Sequence, residues 1–135
     1  MVTYVLDSSA VLRHLHDQAG SERVEEIIKE HLAGNCEAEI SALHWGEIAG
    51  ITRKLYGPHE MERVFSRLGA FGFQVAPADG DRAVRAALIK VQTGIPYVDA
   101  FGVDLAGADN RVLVTADFDF KPANRAVKIE FLPAK

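Results

Sequence analysis

Carboxylates stand just beyond two short apolar runs of this 135-residue chain. Asp7 directly follows the run VTYVL, and Asp117 comes two residues after the run RVLVT ends. Runs of this length and composition are typical of buried strands of a parallel sheet. The sequence therefore predicts an acidic side chain at the end of the first strand and another just past a late strand.

Two further carboxylates fall on the apolar stripes of predicted helices. Glu47 shares a stripe with Leu43 and Ile51, and Asp99 shares one with Val103. Burying an ionised carboxylate is costly unless a positive group or hydrogen bonds compensate. Glu47 and Asp99 are therefore harder to treat as solvent-facing residues than acids on a polar helix face.

These four acids suggest metal-dependent hydrolysis if they meet. Clustered carboxylates raise one another's pKa, and a divalent cation relieves the repulsion. An all-oxygen ligand set favours Mg²⁺, or Mn²⁺ as a substitute, over zinc. Two such ions ~3.5–4 Å apart can activate water and stabilise the leaving oxygen in phosphodiester cleavage.

Each acid also has a purely structural interpretation. Asp7 is a preferred residue type for capping a helix that starts at Ser8 or Ser9. Glu47 can lie at a helix edge beside solvent or an arginine, and Asp99 suits the first turn of its helix. Asp117 is an ordinary loop residue type. Only their combination separates the functional from the structural interpretation.

The predicted elements alternate along the chain. Apolar runs predict strands at residues 2–6, 39–41, 73–76, 111–115 and 127–131. Helical spacing and capping residues predict helices at residues 8–16, 21–32, 42–56, 59–68, about 79–94 and about 96–106. In the fifth helix, the apolar repeat is Val84, Leu88 and Val91. Such alternation predicts an α/β domain with a mainly parallel sheet covered on both faces, and ligands bind such sheets beyond the carboxyl ends of the strands.

Helix geometry separates two acids in the predicted sixth helix. Asp104 comes five residues after Asp99, which places it about 140° away around the helix. We therefore expect Asp99 to face the site and Asp104 to face solvent.

Bulk properties narrow the class of protein. Residues 1–135 are predicted to form one domain, and the formal net charge of −4 argues against broad electrostatic attraction to nucleic acid. Cys36 is the only cysteine, so no internal disulfide can form. No apolar run approaches the ~20 residues that span a bilayer, and the N-terminus does not read as a signal peptide. We expect a cytoplasmic protein without a membrane association.

The order and surroundings of the acids resemble those of the PIN-domain ribonucleases, especially the VapC toxins of toxin–antitoxin pairs. The matching segments are LDSSAVL at 6–12, HWGEIAG around Glu47, PYVDAFG around Asp99 and TADFDF at 115–120. The resemblance extends over nearly the whole chain, and it depends on the order and spacing of these segments.

The resemblance implies a three-layer α/β/α domain that acts as a metal-dependent endoribonuclease. Asp7, Glu47, Asp99 and Asp117 would form its acidic quartet. Within it, Asp7, Asp99 and Asp117 would be the main ligands of Mg²⁺ or Mn²⁺, while Glu47 would be a ligand or would orient the attacking water. The supporting positions that match the family are Ser9, Thr115 and Asp119. The family also implies an RNA substrate, a homodimer and a small antitoxin that blocks the site.

Two other functions remain to be weighed. A phosphoacceptor signalling domain also carries acids at strand ends, and Asp79 would then be a candidate, but Lys128 falls inside a predicted strand rather than at its end. The second alternative is a PIN-like module that binds RNA or protein without catalysis. The five histidines show no metal-ligand spacing and are interpreted mostly as surface or packing residues.

Overall fold

The computed structural model describes residues 1–134 as a five-stranded parallel sheet with helices on both faces. The strands are β1 (Thr3–Leu6), β2 (Glu37–Ser41), β3 (Gln74–Ala76), β4 (Arg111–Thr115) and β5 (Ile129–Phe131). The helices are α1 (Ser8–Leu15), α2 (Ser21–Leu32), α3 (Ala42–Tyr56), α4 (Pro58–Phe71), α5 (Gly80–Thr93) and α6 (Tyr97–Leu105). A 3₁₀ helix, Phe118–Ala123, follows β4. The three-layer α/β/α prediction is confirmed.

The strand order β3-β2-β1-β4-β5 puts the first strand at the centre. The chain winds outward from β1 to β3 and then crosses back to place β4 on the other side of β1, with all neighbours parallel. The connection from β1 therefore runs toward β2 on one side, whereas the connection from β4 runs toward β5 on the other side. In open α/β sheets this switch point opens a crevice at the carboxyl ends of the strands.

The two faces of the sheet pack against different helices. Alternate residues of β1 serve the two faces, since side chains of a strand alternate. Leu6 packs with α1, α2 and α4 in one apolar cluster, whereas Val5 packs with α6 and the 3₁₀ helix in a second cluster. This burial on both sides explains why the strands read as continuous apolar runs.

The predicted element bounds differ from the observed ones mainly near the chain's turns. Strands β3 and β5 are shorter than predicted, and α4 extends over Pro58–Phe71 rather than 59–68. The 3₁₀ helix was not predicted, because its six residues FDFKPA are too short for a periodic pattern and contain Pro122.

Helix α5 buries a different side from the one that its apolar repeat suggests. Val84, Leu88 and Val91 are 62%, 57% and 83% exposed. The helix instead packs through its small residue Ala86, which is fully buried, and through Ile89. An apolar stripe is therefore left on the surface of this chain.

Within residues 1–134, no helix is long and apolar enough to cross a membrane.

Candidate metal centre

Asp7 is both the cap of a helix and a buried carboxylate. It leaves β1 in an extended conformation and its side chain accepts a hydrogen bond from the Ala10 backbone N–H at 2.9 Å. That bond satisfies one of the unpaired N–H groups of the first turn of α1. Asp7 is nevertheless only 2% exposed, so the capping and site interpretations are compatible.

Two hydroxyl groups tie Asp7 to the end of β4. Ser9 Oγ lies 2.8 and 2.9 Å from the two carboxylate oxygens of Asp7, and Thr115 Oγ1 donates to Oδ2 at 2.6 Å. The same two hydroxyls accept hydrogen bonds from the backbone N–H groups of Ala116 and Asp117, each at 3.0 Å. The ends of β1 and β4 are thus joined through the site.

Asp117 and Asp119 lie where β4 passes into the 3₁₀ helix. The Asp117 carboxylate caps that helix by accepting from the Asp119 backbone N–H at 2.8 Å. Asp117 is partly buried beside the Asp7 network, whereas Asp119 is exposed. Asp117 is therefore held next to the end of β4 by its hydrogen bonds with Thr115 and Asp119. The Asp119 side chain lies outside the hydrogen-bond network of Asp7.

Glu47 and Asp99 come together across α3 and α6. Glu47 Oε1 accepts a hydrogen bond from Ser8 Oγ at 2.8 Å, which connects α3 to the residue next to Asp7. Asp99 Oδ1 lies 3.2 Å from His44 Nε2, and Glu47 Oε1 lies 4.0 Å from the same nitrogen. His44, Glu47 and Asp99 each offer one possible ligand atom, and these three atoms lie within 4.8 Å of one another.

Burial raises the pKa of the Asp7 carboxyl, and the hydrogen bonds from Thr115, Ala10 and Ser9 act in the opposite direction. The dominant cause is loss of solvent around the charged form. A carboxylate in this position gains from a nearby cation, which would favour its ionised form.

The donor set suits a hard divalent cation. Carboxylate oxygens are the preferred ligands of Mg²⁺ and Mn²⁺, and Glu47 and Asp99 offer such oxygens near one another, together with a nitrogen of His44. Among residues 1–134, Glu47 and Asp99 contact Ser8 and His44 and form no ion pair with an arginine. The residues present therefore fit the group that the sequence implied.

His44 is the residue of this centre that the sequence interpretation missed. It is fully buried at the start of α3 and contacts Asp99, although it was assigned with the other histidines to surface or packing roles. One signal was available: His44 precedes Glu47 by three residues, and such residues share a helix face. The contact with Asp99, 55 residues away, has no signature in the sequence.

Asp104 lies away from these groups, as helix geometry predicted, but it does not face solvent. Its side chain is 9% exposed and pairs with Arg82 and Arg85 at 3.3 and 2.8 Å. The expectation of a solvated Asp104 was wrong because α5 carries both arginines over it.

The family model of the PIN domain matches residues 4–125 of the chain. No curated protein matches this chain. Among solved structures, DNA-bound VapBC from Salmonella typhimurium superposes with a TM-score of 0.73 at 17% identity, covering 97% of this chain and 98% of that one. FitAcB from Neisseria gonorrhoeae gives a TM-score of 0.70 at 19% identity, covering 93% and 95%. VapC20 from Mycobacterium tuberculosis, a toxin that cleaves the sarcin-ricin loop, gives 0.67 at 14% identity, covering 96% and 99%. At these identities the similarity establishes a shared fold.

Proposed function

This chain belongs to the PIN-domain family, and from that premise we propose that it is a metal-dependent endoribonuclease, the toxin of a toxin–antitoxin pair. The observation that carries the proposal is the convergence of acidic side chains on one edge of the sheet. Four contacts support it: Thr115 hydrogen-bonds both Asp7 and the backbone of Asp117, Ser8 next to Asp7 donates to Glu47, and His44 contacts Asp99.

In the proposed mechanism, Asp7, Asp99 and Asp117 would hold the cation, and Glu47 would be a further ligand or would orient the attacking water. When bound, Mg²⁺ or Mn²⁺ supplies Lewis acidity that activates water and offsets charge on the phosphate. Ser9 and Thr115 fix the orientation of Asp7 through their hydroxyls. Asp119, being exposed, is available to act at the edge of the same site.

RNA cleavage by the purified chain, free of any antitoxin, tests the proposal. We expect cleavage with Mg²⁺ or Mn²⁺ and none with EDTA. Asp7→Asn and Asp99→Asn should each lower the rate by ~100-fold or more, because metal ligation is worth several kcal/mol in the transition state. Circular dichroism of each variant establishes that it is folded.

Asp109→Asn is the matched control. Asp109 is exposed in the loop before β4. It therefore lies at the amino ends of the strands, whereas the acidic group lies at their carboxyl ends. This variant should cleave RNA at the wild-type rate. Cleavage that persists in EDTA, or that survives in both Asp7→Asn and Asp99→Asn, would refute the metal mechanism and the site.

The partners follow from the same proposal. Several structures with this fold are toxin–antitoxin complexes, including VapBC from Salmonella typhimurium and a complex from Klebsiella pneumoniae. We therefore propose a small antitoxin protein that covers the acidic edge and RNA as the substrate. Co-expression with the adjacent reading frame and co-purification of its product would identify the antitoxin.

We also propose a homodimer, with α5 as the contact between two copies. Val84, Leu88 and Val91 form a stripe along one side of this helix, all more than half exposed. Apolar residues that line up on one exposed helix face are typical of an interface rather than of scattered surface residues.

The alternatives receive less support. Asp79 caps α5 after β3, a strand at the edge of the sheet, whereas a phosphoacceptor domain needs its acid at a central strand. A purely binding role does not account for a buried carboxylate beside further acids.

A further inference from the structure

His44 is placed to orient the Asp99 carboxylate. It is fully buried, and its two ring nitrogens have different partners: Nδ1 lies 3.2 Å from Ser41 Oγ, and Nε2 lies 3.2 Å from Asp99 Oδ1. A buried imidazole with a polar partner on each nitrogen is held in one orientation.

The chemistry of Asp99 fixes the role of one ring nitrogen. A carboxylate oxygen only accepts hydrogen bonds, so Nε2 carries a proton and donates to Asp99. Nδ1 lies within hydrogen-bond distance of the Ser41 hydroxyl. That hydroxyl in turn accepts from the His44 backbone N–H at 3.1 Å, which makes Ser41 the cap of α3.

The fold makes room for the ring through a glycine. A Cβ at Gly102 would lie 3.1 Å from His44 Cε1, which is tighter than ordinary packing. Gly102 lies on α6 three residues after Asp99, so the helix that carries the acid also carries the space for the imidazole.

We propose that His44 is a positioning residue of the metal centre, a role that rests on the function proposed above. By donating to Oδ1, it would fix the orientation of the Asp99 carboxylate, so that Oδ2 would be the oxygen left for a cation. The chain Ser41–His44–Asp99 would thus link the cap of α3 to the geometry of a ligand on α6. Hydrogen-bond partners of metal ligands are typically worth ~10–100-fold in metal affinity or activity.

Two substitutions distinguish the contributions of the two ring nitrogens of His44. In His44→Gln, the amide nitrogen lies the same number of bonds from the backbone as Nε2, so it can still donate to Asp99. In His44→Asn, the amide nitrogen corresponds to Nδ1 and does not reach Asp99. Comparing Gln with Asn keeps a buried amide in both variants and shortens the side chain by one methylene group, which removes its reach to Asp99.

The measurement is Mn²⁺ affinity, followed by electron paramagnetic resonance in the absence of RNA. We expect His44→Gln to bind Mn²⁺ within ~3-fold of the wild type and His44→Asn to bind ~10-fold or more weakly. The concentration of Mg²⁺ needed for RNA cleavage should shift in the same order. Equal affinity in wild type and His44→Asn would overturn the proposal.

Direct ligation by His44 is the competing outcome. It predicts an echo-modulation signal from a coordinated ¹⁴N in the Mn²⁺-loaded wild type, and loss of affinity in both variants. We expect no such signal from the wild type, and its presence would refute the positioning role. A wild type that binds no Mn²⁺ would instead refute the metal centre itself.

Gly102→Ala perturbs His44 without replacing it and serves if His44→Asn fails to fold. The added methyl crowds Cε1, while alanine is the better helix former. We expect weaker Mn²⁺ binding in a variant that remains folded by circular dichroism. Unchanged Mn²⁺ affinity in folded Gly102→Ala would count against a fixed His44–Asp99 geometry.

Discussion

Asp7 combines two requirements that pull against each other. As the cap of α1 it needs an oxygen close to the backbone, and at 2% exposure it is deprived of the water that stabilises its charge. Burial therefore raises its pKa. A group whose pKa is higher in the folded chain contributes stability below its unfolded pKa, ~3.9 for aspartate, and loses that contribution as the pH rises through the folded value. At neutral pH, the ionised carboxylate costs folding free energy.

Asp7→Asn should therefore stabilise the metal-free protein while removing activity. Asparagine keeps an oxygen for the Ala10 N–H and carries no charge. Its amide nitrogen takes the place of Oδ2 and can donate to the Thr115 hydroxyl, which then has Ser9 Oγ, 3.2 Å away, as its acceptor. In EDTA at pH 7 we expect Tm to rise by a few degrees, since ~1 kcal/mol corresponds to ~4 °C in a domain of this size.

The gain from Asp7→Asn should shrink as the pH is lowered through the raised pKa of the Asp7 carboxyl, where the wild type takes up its proton. Mg²⁺ should raise the Tm of the wild type and not that of the variant. Calorimetry across pH, with Asp109→Asn as the control, checks this. A variant that is less stable than the wild type at pH 7 in EDTA would contradict the charge argument.

At the scale of elements, the site depends on how strand ends are joined. Thr115 closes β4 and, fully buried, donates to Asp7 while accepting from the Asp117 N–H. Its hydroxyl therefore holds together the ends of β1, β4 and the 3₁₀ helix.

Thr115→Val should be destabilising by ~1–3 kcal/mol, because it keeps the shape of the side chain but leaves buried polar groups without a partner. Thr52→Val provides the matched control. Thr52 on α3 is equally buried, and among residues 1–134 its hydroxyl has no hydrogen-bond partner.

We expect Thr52→Val to leave the free energy of unfolding unchanged or to raise it. Thr115→Val should also slow RNA cleavage, since Asp7 and Asp117 lose a shared support, whereas Thr52→Val should not. Urea unfolding and cleavage rates measure both effects. Equal stability losses in the two variants would mean that the Thr115 hydrogen bonds contribute nothing specific.

At the scale of the whole molecule, the exposed stripe on α5 is one of the apolar surfaces that this chain leaves uncovered. The proposed homodimer would bury it. A charge introduced there should prevent association, because an unpaired buried charge is costly at an interface.

Leu88→Glu is therefore expected to shift the protein from a dimer to a monomer in sedimentation equilibrium. Leu32→Glu is the matched control, since Leu32 on α2 is 60% exposed, against 57% for Leu88, but lies outside the stripe. Leu32→Glu should leave the dimer intact. A wild type that is monomeric at all accessible concentrations, or a dimeric Leu88→Glu, would rule out α5 as the contact.

The local signals in the sequence were sufficient for the alternation of strands and helices and for the strand-end position of Asp7 and Asp117. Apolar runs, helical spacing and capping residues act over a few neighbouring residues, so they can be interpreted without knowing the rest of the chain. They also indicated that Asp99 and Asp104 face different sides of α6, since that difference follows from the rotation per residue of one helix. The acidic quartet remains a prediction that the cleavage and binding experiments address.

Long-range packing decided the rest. The contact of His44 with Asp99 spans 55 residues and exists only because α3 and α6 pack against each other in the folded chain. In the same way, α5 buries Ala86 and leaves Leu88 outside, although Leu88 is the more apolar residue. A sequence pattern shows which face of a helix is apolar, but it does not show which elements pack against that face. That is set by the neighbouring elements, which the chain brings together only on folding.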